Sequence, residues 1–403
     1  MRFSVFRCLL LRIATLGVIQ VMDKAGLYIH IPFCTQKCNY CDFYSIKTNS
    51  TLVKNFLDAA IKELISYSDH PIFSNAEFVS IYFGGGTPSL LTSNQISRLL
   101  EQIKKQFHFT ANFEFTIEAN PESLSLAKLK QYHKIGVNRL SIGIQSFNDS
   151  ELNRLSRLHD SNQAIKSVGW AQQAGFDNIS IDLIFAIPGQ AQAQWESNLL
   201  QAIELNPQHI STYCLTIAPG TPLEKKIING QEEKASEETE RKMYLSTIEI
   251  LSEYGFDFYE ISNFAKAGYE CRHNKMYWNL SPYLGIGPAA HSYWENQRQW
   301  NVKSLAVYLN SLKNNKKPLG DKENLSLEQK ILEYIFLHLR TSEGIDIRKF
   351  KQSFNISFKN KYQHAIKKMN GYPGNKLFKL ERNHFRLTRE GFVLFDEICS
   401  YFA

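Results

Sequence analysis

Cysteine is scarce in this chain, which has seven cysteines among its 403 residues. Four of them, Cys8, Cys214, Cys271 and Cys399, are scattered along the sequence. A protein built on disulfide bonds would carry a denser and more regular set. The scarcity therefore excludes a disulfide framework and indicates a reducing compartment, so we expect a cytoplasmic protein.

An uninterrupted apolar run of membrane-spanning length is also missing. Residues 1–21 are apolar, but Arg12 interrupts them, and a membrane span needs about 20 nearly uninterrupted apolar residues. The same stretch has no clear small-x-small cleavage site, which a signal peptide would have. We interpret residues 1–22 as a nonessential extension that ends at an alternative start, Met22. We expect at most a peripheral association with membranes.

The sequence also lacks internal repeats, low-complexity segments and an arginine-rich recognition helix. Its net charge of +7 is spread along the chain, and such a mild excess is weak support for nucleic-acid binding. A hydrophobic content of 43% and a charged content of 21% are typical of globular proteins. We therefore predict a globular protein that has no nucleic-acid partner.

What the sequence does contain is a regular alternation of short β runs and amphipathic helical patterns. Such an alternation predicts a parallel sheet with right-handed crossovers. Two architectures fit, an open doubly wound sheet and a barrel, either complete or partial. In both, ligands bind at the carboxyl ends of the strands. The six predicted strands span residues 26–33, 78–83, 113–119, 137–144, 178–185 and 209–215.

The second half of the chain has a different character. Residues 256–300 are rich in aromatics and glycine, and residues 314–324 have the composition of a linker. Ser326 and Gln329 form a capping-box start for a helix, and residues 377–388 have the pattern of a hairpin. Helices followed by a two-stranded wing predict a winged-helix-like α+β domain. We divide the chain into a core of residues 23–235, a covering segment of residues 236–320 and a C-terminal domain of residues 321–403.

Three cysteines stand close together after the first predicted strand, at Cys34, Cys38 and Cys41. Thiolates are soft ligands for zinc or iron–sulfur clusters. A structural zinc site needs four protein ligands, usually in two separated pairs, and His30 is a candidate for the fourth. A cubane cluster has four irons, so three cysteines would leave one iron open to another ligand. Buried cysteines without any metal are the third alternative.

The C-x3-C-x2-C loop, with Tyr40 before its last cysteine, resembles that of the radical S-adenosylmethionine (SAM) superfamily. The resemblance implies a [4Fe–4S] cluster on Cys34, Cys38 and Cys41, whose open iron binds the amino and carboxylate groups of SAM. It implies that the cluster donates an electron and cleaves SAM to a 5′-deoxyadenosyl radical. It also implies the fold, a partial (β/α)6 TIM-like barrel of the radical SAM type.

Other polar side chains follow the later strands. A glycine loop at 84–88 allows backbone N–H groups to approach a ligand closely. Glu118 and Asp182 end or interrupt apolar strands, and a buried carboxylate there needs a partner. We interpret the partner of Glu118 as an ammonium or sulfonium and the partner of Asp182 as a ribose. The alternative for both carboxylates is a structural bond within the barrel. Gln145 and Arg157 are suited to a ligand's polar groups and carboxylate.

The sequences "YIHIPFC", "GGGTP", "IGIQSFN" and "DLIFAIPGQ" are similar to those of the oxygen-independent coproporphyrinogen III oxidases and their relatives. This resemblance runs from about residue 25 to the end of the chain. By this resemblance the SAM site is lined by Tyr28, Tyr40, Gly85, Gly86, Thr87, Glu118, Gln145, Arg157, Asp182 and Thr216.

Within that group, two departures separate the chain from the oxidases. Phe43 stands where they carry a further cysteine, and the segment before the cluster loop is shorter than theirs. In contrast, "CDF" after the loop and an HNxxYW motif resemble the HemW-type haem chaperones. The motif is filled by His273, Asn274, Tyr277 and Trp278.

This second resemblance implies a protein that holds haem as cargo. The haem would contact the HNxxYW residues, with Cys271 as an alternative axial ligand. The other interpretation is that these aromatics only pack the C-terminal part against the barrel and close it. The recipients would be haem proteins, including respiratory enzymes of the membrane, and the cluster would support a homodimer. The alternative function is that of a coproporphyrinogen III oxidase, which decarboxylates two propionates to give protoporphyrinogen IX.

Overall fold

The computed structural model describes residues 24–374 and 376–403 of the chain. The interpretation of residues 1–22 as a nonessential extension concerns residues outside these ranges. Among the described residues, none of the helices is both long enough and apolar enough to span a membrane.

Six parallel strands form the centre of the molecule, and each pairs with the next in chain order. They are β1 (Lys24–Ile31), β4 (Glu77–Gly85), β5 (His108–Ala119), β6 (Arg139–Gln145), β7 (Ile179–Phe185) and β8 (His209–Cys214). A doubly wound sheet would reverse its strand order at a switch point. The order here runs in one direction, and the outermost strands do not pair with each other. The predicted partial (β/α)6 barrel is therefore confirmed.

Helices connect the strands and cover the outer face of the sheet. They are α1 (Ser50–Ile65), α2 (Ser93–Gln106), α3 (Leu126–Lys134), α4 (Asp149–Arg154), α5 (Ser161–Gln173) and α6 (Gln192–Glu204), and α7 (Pro222–Ile228) and α8 (Glu237–Glu253) follow the last parallel strand. Two very short strands, β2 (Phe33–Cys34) and β3 (Ile46–Lys47), pair beside the cysteine loop.

Side chains alternate between the two faces of each strand, as the period of two requires. In β6, Leu140, Ile142 and Ile144 are apolar and belong to the hydrophobic core shared with the helices. The residues between them, from Arg139 to Gln145, are polar or glycine and face the interior of the barrel. The barrel interior is therefore a polar chamber, and the apolar core lies between the sheet and its helices.

The segment after the barrel extends the same sheet at both edges. β9 (Asp257–Glu260) and β10 (Asn263–Ala265) join beyond β8, whereas β11 (Tyr283–Ile286), β12 (His291–Trp294), β13 (Gln297–Asn301) and β14 (Leu319–Asn324) join beyond β1. Helices α9 (Arg272–Trp278) and α10 (Leu305–Lys313) lie between these strands in the chain. The prediction of a linker at 314–324 is wrong, because residues 319–324 pair with β13 as an edge strand.

The C-terminal domain places helices around a three-stranded sheet of order β15–β17–β16. Its elements are α11 (Leu327–Leu339), β15 (Ile345–Asp346), α12 (Ile347–Phe354), α13 (Phe358–Lys361), α14 (Gln363–Asn370), β16 (Phe378–Glu381), β17 (His384–Leu387), α15 (Arg389–Val393) and α16 (Phe395–Ser400). The predicted capping box of Ser326 and Gln329 begins α11, and the predicted hairpin is β16–β17. Both predictions are confirmed.

Candidate functional site

The cysteine loop is held at both ends by backbone pairing. Cys34 ends β2, which pairs in parallel with β3, and the backbone N–H of Cys41 donates to the carbonyl oxygen of Cys38 at 3.2 Å. All three cysteines of the loop are partly exposed. The loop therefore presents three thiol groups at the carboxyl end of the barrel, where the fold places ligands.

A chain of hydrogen bonds connects two of these thiols. Thr87 Oγ1 donates to Cys34 Sγ at 3.5 Å, and Arg157 Nη1 donates to Cys38 Sγ at 3.5 Å. Asn120 joins the two donors: its Nδ2 donates to Thr87 Oγ1 at 3.0 Å, and its Oδ1 accepts from Arg157 Nη2 at 2.7 Å. Donors aimed at sulfur stabilise the thiolate form that a metal requires.

These residues fit an iron–sulfur cluster better than a single ion. Within the described ranges, no three His, Cys, Asp or Glu side chains converge on one ion position, and a cubane does not need this because each thiolate binds a different iron. Burial raises the pKa of Cys41, so its thiol keeps its proton in the metal-free protein. Metal binding would remove this proton, because the ligand is the thiolate. The zinc alternative needs His30, whose ring nitrogens lie 3.1 Å from Tyr28 Oη and 3.0 Å from the carbonyl oxygen of Tyr44. His30 therefore has no nitrogen left for a metal.

The glycine loop at the end of β4 lies directly against the cysteine loop. The N–H of Gly86 donates to the carbonyl oxygen of Ile31 at 2.8 Å, and a Cβ at Gly86 would lie 2.6 Å from the carbonyl oxygen of Phe33. Gly85 has φ +108°, a conformation that side chains with a Cβ rarely adopt. The close approach of the two loops therefore requires glycine at both positions.

Glu118 stands beside this loop at the end of β5. Its Oε1 accepts from Tyr82 Oη at 2.9 Å, and its Oε2 accepts from the N–H of Gly85 at 3.0 Å. Burial raises the pKa of Glu118 to about 7, although the hydrogen bond from Tyr82 opposes this rise. A cationic ligand beside Glu118 would stabilise the ionised form of this carboxylate.

Asp182 lies further along the interior wall of the barrel. Ser141 Oγ donates to its Oδ2 at 2.8 Å, and Ser180 Oγ donates to its Oδ1 at 3.2 Å. Burial raises the pKa of Asp182. The structural bonds that the sequence offered as an alternative are therefore present, and each carboxylate oxygen keeps a second lone pair for a ligand hydroxyl.

The remaining predicted SAM residues differ in how closely they approach this group. Gln145 ends β6 with φ 67°, a strained conformation for a non-glycine residue. Tyr40 packs against apolar residues of the adjoining loops. Thr216 is exposed on the loop after β8. Glu118, Gln145 and the glycine loop lie at the carboxyl ends of their strands, and Tyr40 and Arg157 lie on the adjoining loops. Tyr28 and Asp182 lie within β1 and β7, and Thr216 lies at the edge of this group.

The HNxxYW motif lies at the opposite end of the barrel. It forms α9, whose first N–H groups donate to Glu114: Arg272 N to Oε2 at 3.2 Å and His273 N to Oε1 at 3.2 Å. Glu114 is in register with Ser80 of β4, which is in register with Gly26 near the start of β1. The motif therefore closes the amino end of the barrel and does not meet the cysteine loop.

Two of its side chains, His273 and Tyr277, are already hydrogen-bonded within the protein. His273 is buried, with Nδ1 2.8 Å from Ser80 Oγ and Nε2 2.8 Å from Tyr277 Oη. Burial lowers the pKa of His273 to about 3 and raises that of the Cys271 thiol to about 12. The guanidinium of Arg340 lies 4.0 Å from the centre of the Trp278 ring. Haem ligation by His273 or Cys271 would therefore require α9 to leave the barrel.

Sequence patterns missed several residues that support the site. Asn120, Tyr82 and Ser141 each bond a predicted ligand-binding residue, as described above. Tyr213 is 44% exposed and stands two residues after the interior-facing Ser211, so it faces the chamber. For Tyr82, Ser141 and Tyr213, the period-two alternation within the predicted strands was the available signal, because residues two apart share a face.

Comparisons with known proteins agree with this geometry. A model of the radical SAM superfamily matches residues 28–201, and a model of the HemN C-terminal domain matches residues 325–394. The chain is 33% identical to the heme chaperone HemW of Bacillus subtilis (strain 168), over 93% of this chain and 98% of that protein. It is 34% identical to the heme chaperone HemW of Lactococcus lactis subsp. lactis (strain IL1403), over 93% and 96%.

A solved structure is similar over nearly the whole chain. Coproporphyrinogen III oxidase (HemN) from Escherichia coli, a radical SAM enzyme, superposes with a TM-score of 0.82 at 25% identity. The match covers 94% of this chain and 90% of that chain.

The partial barrel and its three-cysteine loop define a radical SAM protein, with the [4Fe–4S] cluster and SAM that this superfamily implies as cofactors. Within that superfamily, the chain belongs to the HemW family.

Proposed function

We propose that this protein is a haem chaperone, which binds haem and passes it to haem-requiring proteins. The similarity to proteins named heme chaperone HemW over 93% of the chain carries this proposal. Phe43 supports it, because this side chain is 66% exposed beside the cluster loop, at the position where the resemblance to the oxidases implies a cysteine in those enzymes. An exposed apolar side chain at this position can pack against a flat apolar cargo, whereas it cannot serve as a further ligand of the cluster.

Anaerobic haem titration tests the proposal. Reconstituted protein with an intact cluster should develop a Soret band that saturates with added haem. A spectrum that shows the cluster and no Soret band at any haem concentration would refute it.

In this proposal Cys34, Cys38 and Cys41 would hold the cluster, which when bound and reduced would supply an electron for the cleavage of SAM. The protein's part is to bind and orient SAM. Glu118 pairs with the ammonium group of SAM, and the N–H of Gly85 in the glycine loop holds this carboxylate in place. Arg157 already directs one N–H at Cys38 Sγ and keeps a buried Nε without a hydrogen-bond partner among the described residues, which could serve the carboxylate of SAM. Tyr28, Tyr40, Gly85, Gly86, Thr87, Gln145, Asp182 and Thr216 complete the proposed SAM site.

The finer parts of the proposal concern where the haem goes. We propose a cytoplasmic protein that gives haem to respiratory enzymes at the membrane, and a homodimer that depends on the cluster. Haem contact through His273, Asn274, Tyr277 and Trp278 is the sequence-based proposal for the haem site. In the described conformation it requires α9 to open, since both ring nitrogens of His273 are hydrogen-bonded.

A second candidate function is that of a coproporphyrinogen III oxidase. The superposition on HemN at a TM-score of 0.82 favours it. Anaerobic incubation with coproporphyrinogen III, SAM and a reductant tests this alternative. Appearance of protoporphyrinogen IX would place it above the chaperone function.

A further inference from the structure

We infer that the HNxxYW helix positions the SAM site, with His273 as a residue that holds Tyr82 and, through Tyr82, Glu118. This inference rests on the proposed SAM site. It assigns the motif a role at the SAM site in place of haem ligation.

The imidazole ring of His273 is held in one place. His273 is anchored on both sides, by Ser80 at Nδ1 and by Tyr277 at Nε2, each at 2.8 Å. A Cβ on Gly26 would lie 3.2 Å from two atoms of its ring. The glycine therefore makes room for the imidazole, and the ring has little freedom to shift.

The imidazole of His273 contacts the ring of Tyr82. The two rings stack with centroids 5.1 Å apart and an interplanar angle of 27°. Tyr28 packs on both, 6.2 Å from His273 and 6.2 Å from Tyr82. The phenol ring of Tyr82 is thus held between the helix at the amino end of the barrel and the neighbouring strand.

Tyr82 in turn contacts Glu118, the carboxylate proposed to bind SAM. The Tyr82 hydroxyl donates to Glu118 Oε1 at 2.9 Å, and Gly85 donates to Oε2 at 3.0 Å. These two bonds fix the plane of the carboxylate. The hydroxyl also favours the ionised form of Glu118, because it lowers the pKa that burial raises. The motif is therefore two contacts away from the group that pairs with the ammonium of SAM.

The same helix is fixed from the other side by the C-terminal domain. Arg340, which follows α11, lies over the Trp278 ring and forms an ion pair with the buried Glu260 at 2.8 Å. A tryptophan and a histidine of one motif thus connect the C-terminal domain to the SAM site. A histidine that ligates haem needs a free ring nitrogen, and both ring nitrogens of His273 are hydrogen-bonded in this arrangement.

The test compares SAM affinity and haem uptake in the same set of full-length, cluster-reconstituted variants. Ser80→Ala removes one of the two anchors of His273 and leaves the hydrogen bonds of Glu118 in place. Tyr82→Phe keeps the stacked ring and removes only the hydroxyl that reaches Glu118. Ser167→Ala is the matched control, because Ser167 is equally buried but bonds only the backbone of its own helix.

We expect Tyr82→Phe to weaken SAM binding by about tenfold, the effect of losing one hydrogen bond to a charged group. Ser80→Ala should weaken it less, and should have no further effect in the Tyr82→Phe background, since coupled residues are not additive. Ser167→Ala should bind SAM as the wild type does. Haem uptake by Ser80→Ala protein, measured without SAM, should equal that of the wild type.

Two results would overturn the inference. One is wild-type SAM affinity in both Ser80→Ala and Tyr82→Phe protein. The other is a His273→Ala protein that binds SAM normally and has lost its Soret band, which would make the motif a haem ligand. If the wild type itself takes up no haem, the proposed chaperone function fails, whereas the SAM comparison still decides this inference.

Discussion

The pH dependence of SAM binding gives the most quantitative prediction. If Glu118 must be ionised to pair with the ammonium of SAM, and its pKa is about 7, then affinity must fall as pH drops through that value. About nine-tenths of such a group is ionised one pH unit above its pKa and about one-tenth one unit below. The apparent dissociation constant for SAM should therefore rise about tenfold between pH 8 and pH 6.

Two variants identify the titrating group. Glu118→Gln should bind SAM weakly and without this dependence on pH. Glu63→Gln is a matched control, because burial also raises the pKa of Glu63 to about 7, but Glu63 bonds Gly287, Asn301 and Tyr308 rather than the site. It should keep the wild-type slope.

Equilibrium dialysis of cluster-reconstituted protein against labelled SAM measures the effect. Several ionisable groups face Glu118 inside the barrel: Tyr28, Tyr82, Arg139, Asp182, Tyr213 and Tyr277. A pH slope that survives in Glu118→Gln protein would assign the titration to another of them, with Asp182 the first to test. A flat wild-type curve would refute the role of Glu118.

Four further predictions follow from other parts of the structure. Cys38→Ala should abolish the iron–sulfur absorption, and Cys214→Ala, an exposed cysteine outside the loop, should leave it unchanged. Asn120→Ala should lower cluster retention during gel filtration, because it removes the link between the donors to two cysteine thiols; equal iron content would contradict this. Gly85→Ala should lose SAM binding, since φ +108° disfavours alanine and the new Cβ would lie 2.5 Å from the His30 ring; wild-type SAM affinity in this variant would contradict this. Glu63 has a folded-state pKa above its unfolded value, so its contribution to the stability of the fold is present at low pH and is lost as pH rises through about 7. Between pH 5 and pH 8, the free energy of unfolding of the wild type should fall by about 2 kcal/mol more than that of Glu63→Gln protein. Denaturant unfolding at each pH measures this difference, and parallel curves for the two proteins would refute it.

The six barrel strands and their helices could be predicted from the sequence, because each is a local pattern. The runs of apolar residues with period-two alternation, as in "RLSIGIQ", identify strands that are buried on one face and line a polar chamber on the other. The cysteine loop was recognisable for a related reason. Its three ligands lie within eight residues, so their closeness does not depend on the fold.

The elements that sequence reasoning missed depend on distant pairing. Residues 319–324 have the composition of a linker, and they become a strand only because β13 offers an unpaired edge. The HNxxYW helix was predicted as a haem contact or as a cover of the barrel. Its place at the amino end follows from β11 pairing beside β1, which no local pattern reveals. Tyr82 and Asn120 were missed because their roles lie in bonds to residues more than 30 positions away.

The measurement that most directly tests the central claim is a chromatographic analysis of tetrapyrroles after one anaerobic incubation. Cluster-reconstituted protein would receive SAM, a reductant, haem and coproporphyrinogen III together, and bound and free tetrapyrroles would then be separated. A haem chaperone should retain haem unchanged on the protein and leave coproporphyrinogen III unconverted. Recovery of protoporphyrinogen IX, with no haem bound to the protein, would contradict the account.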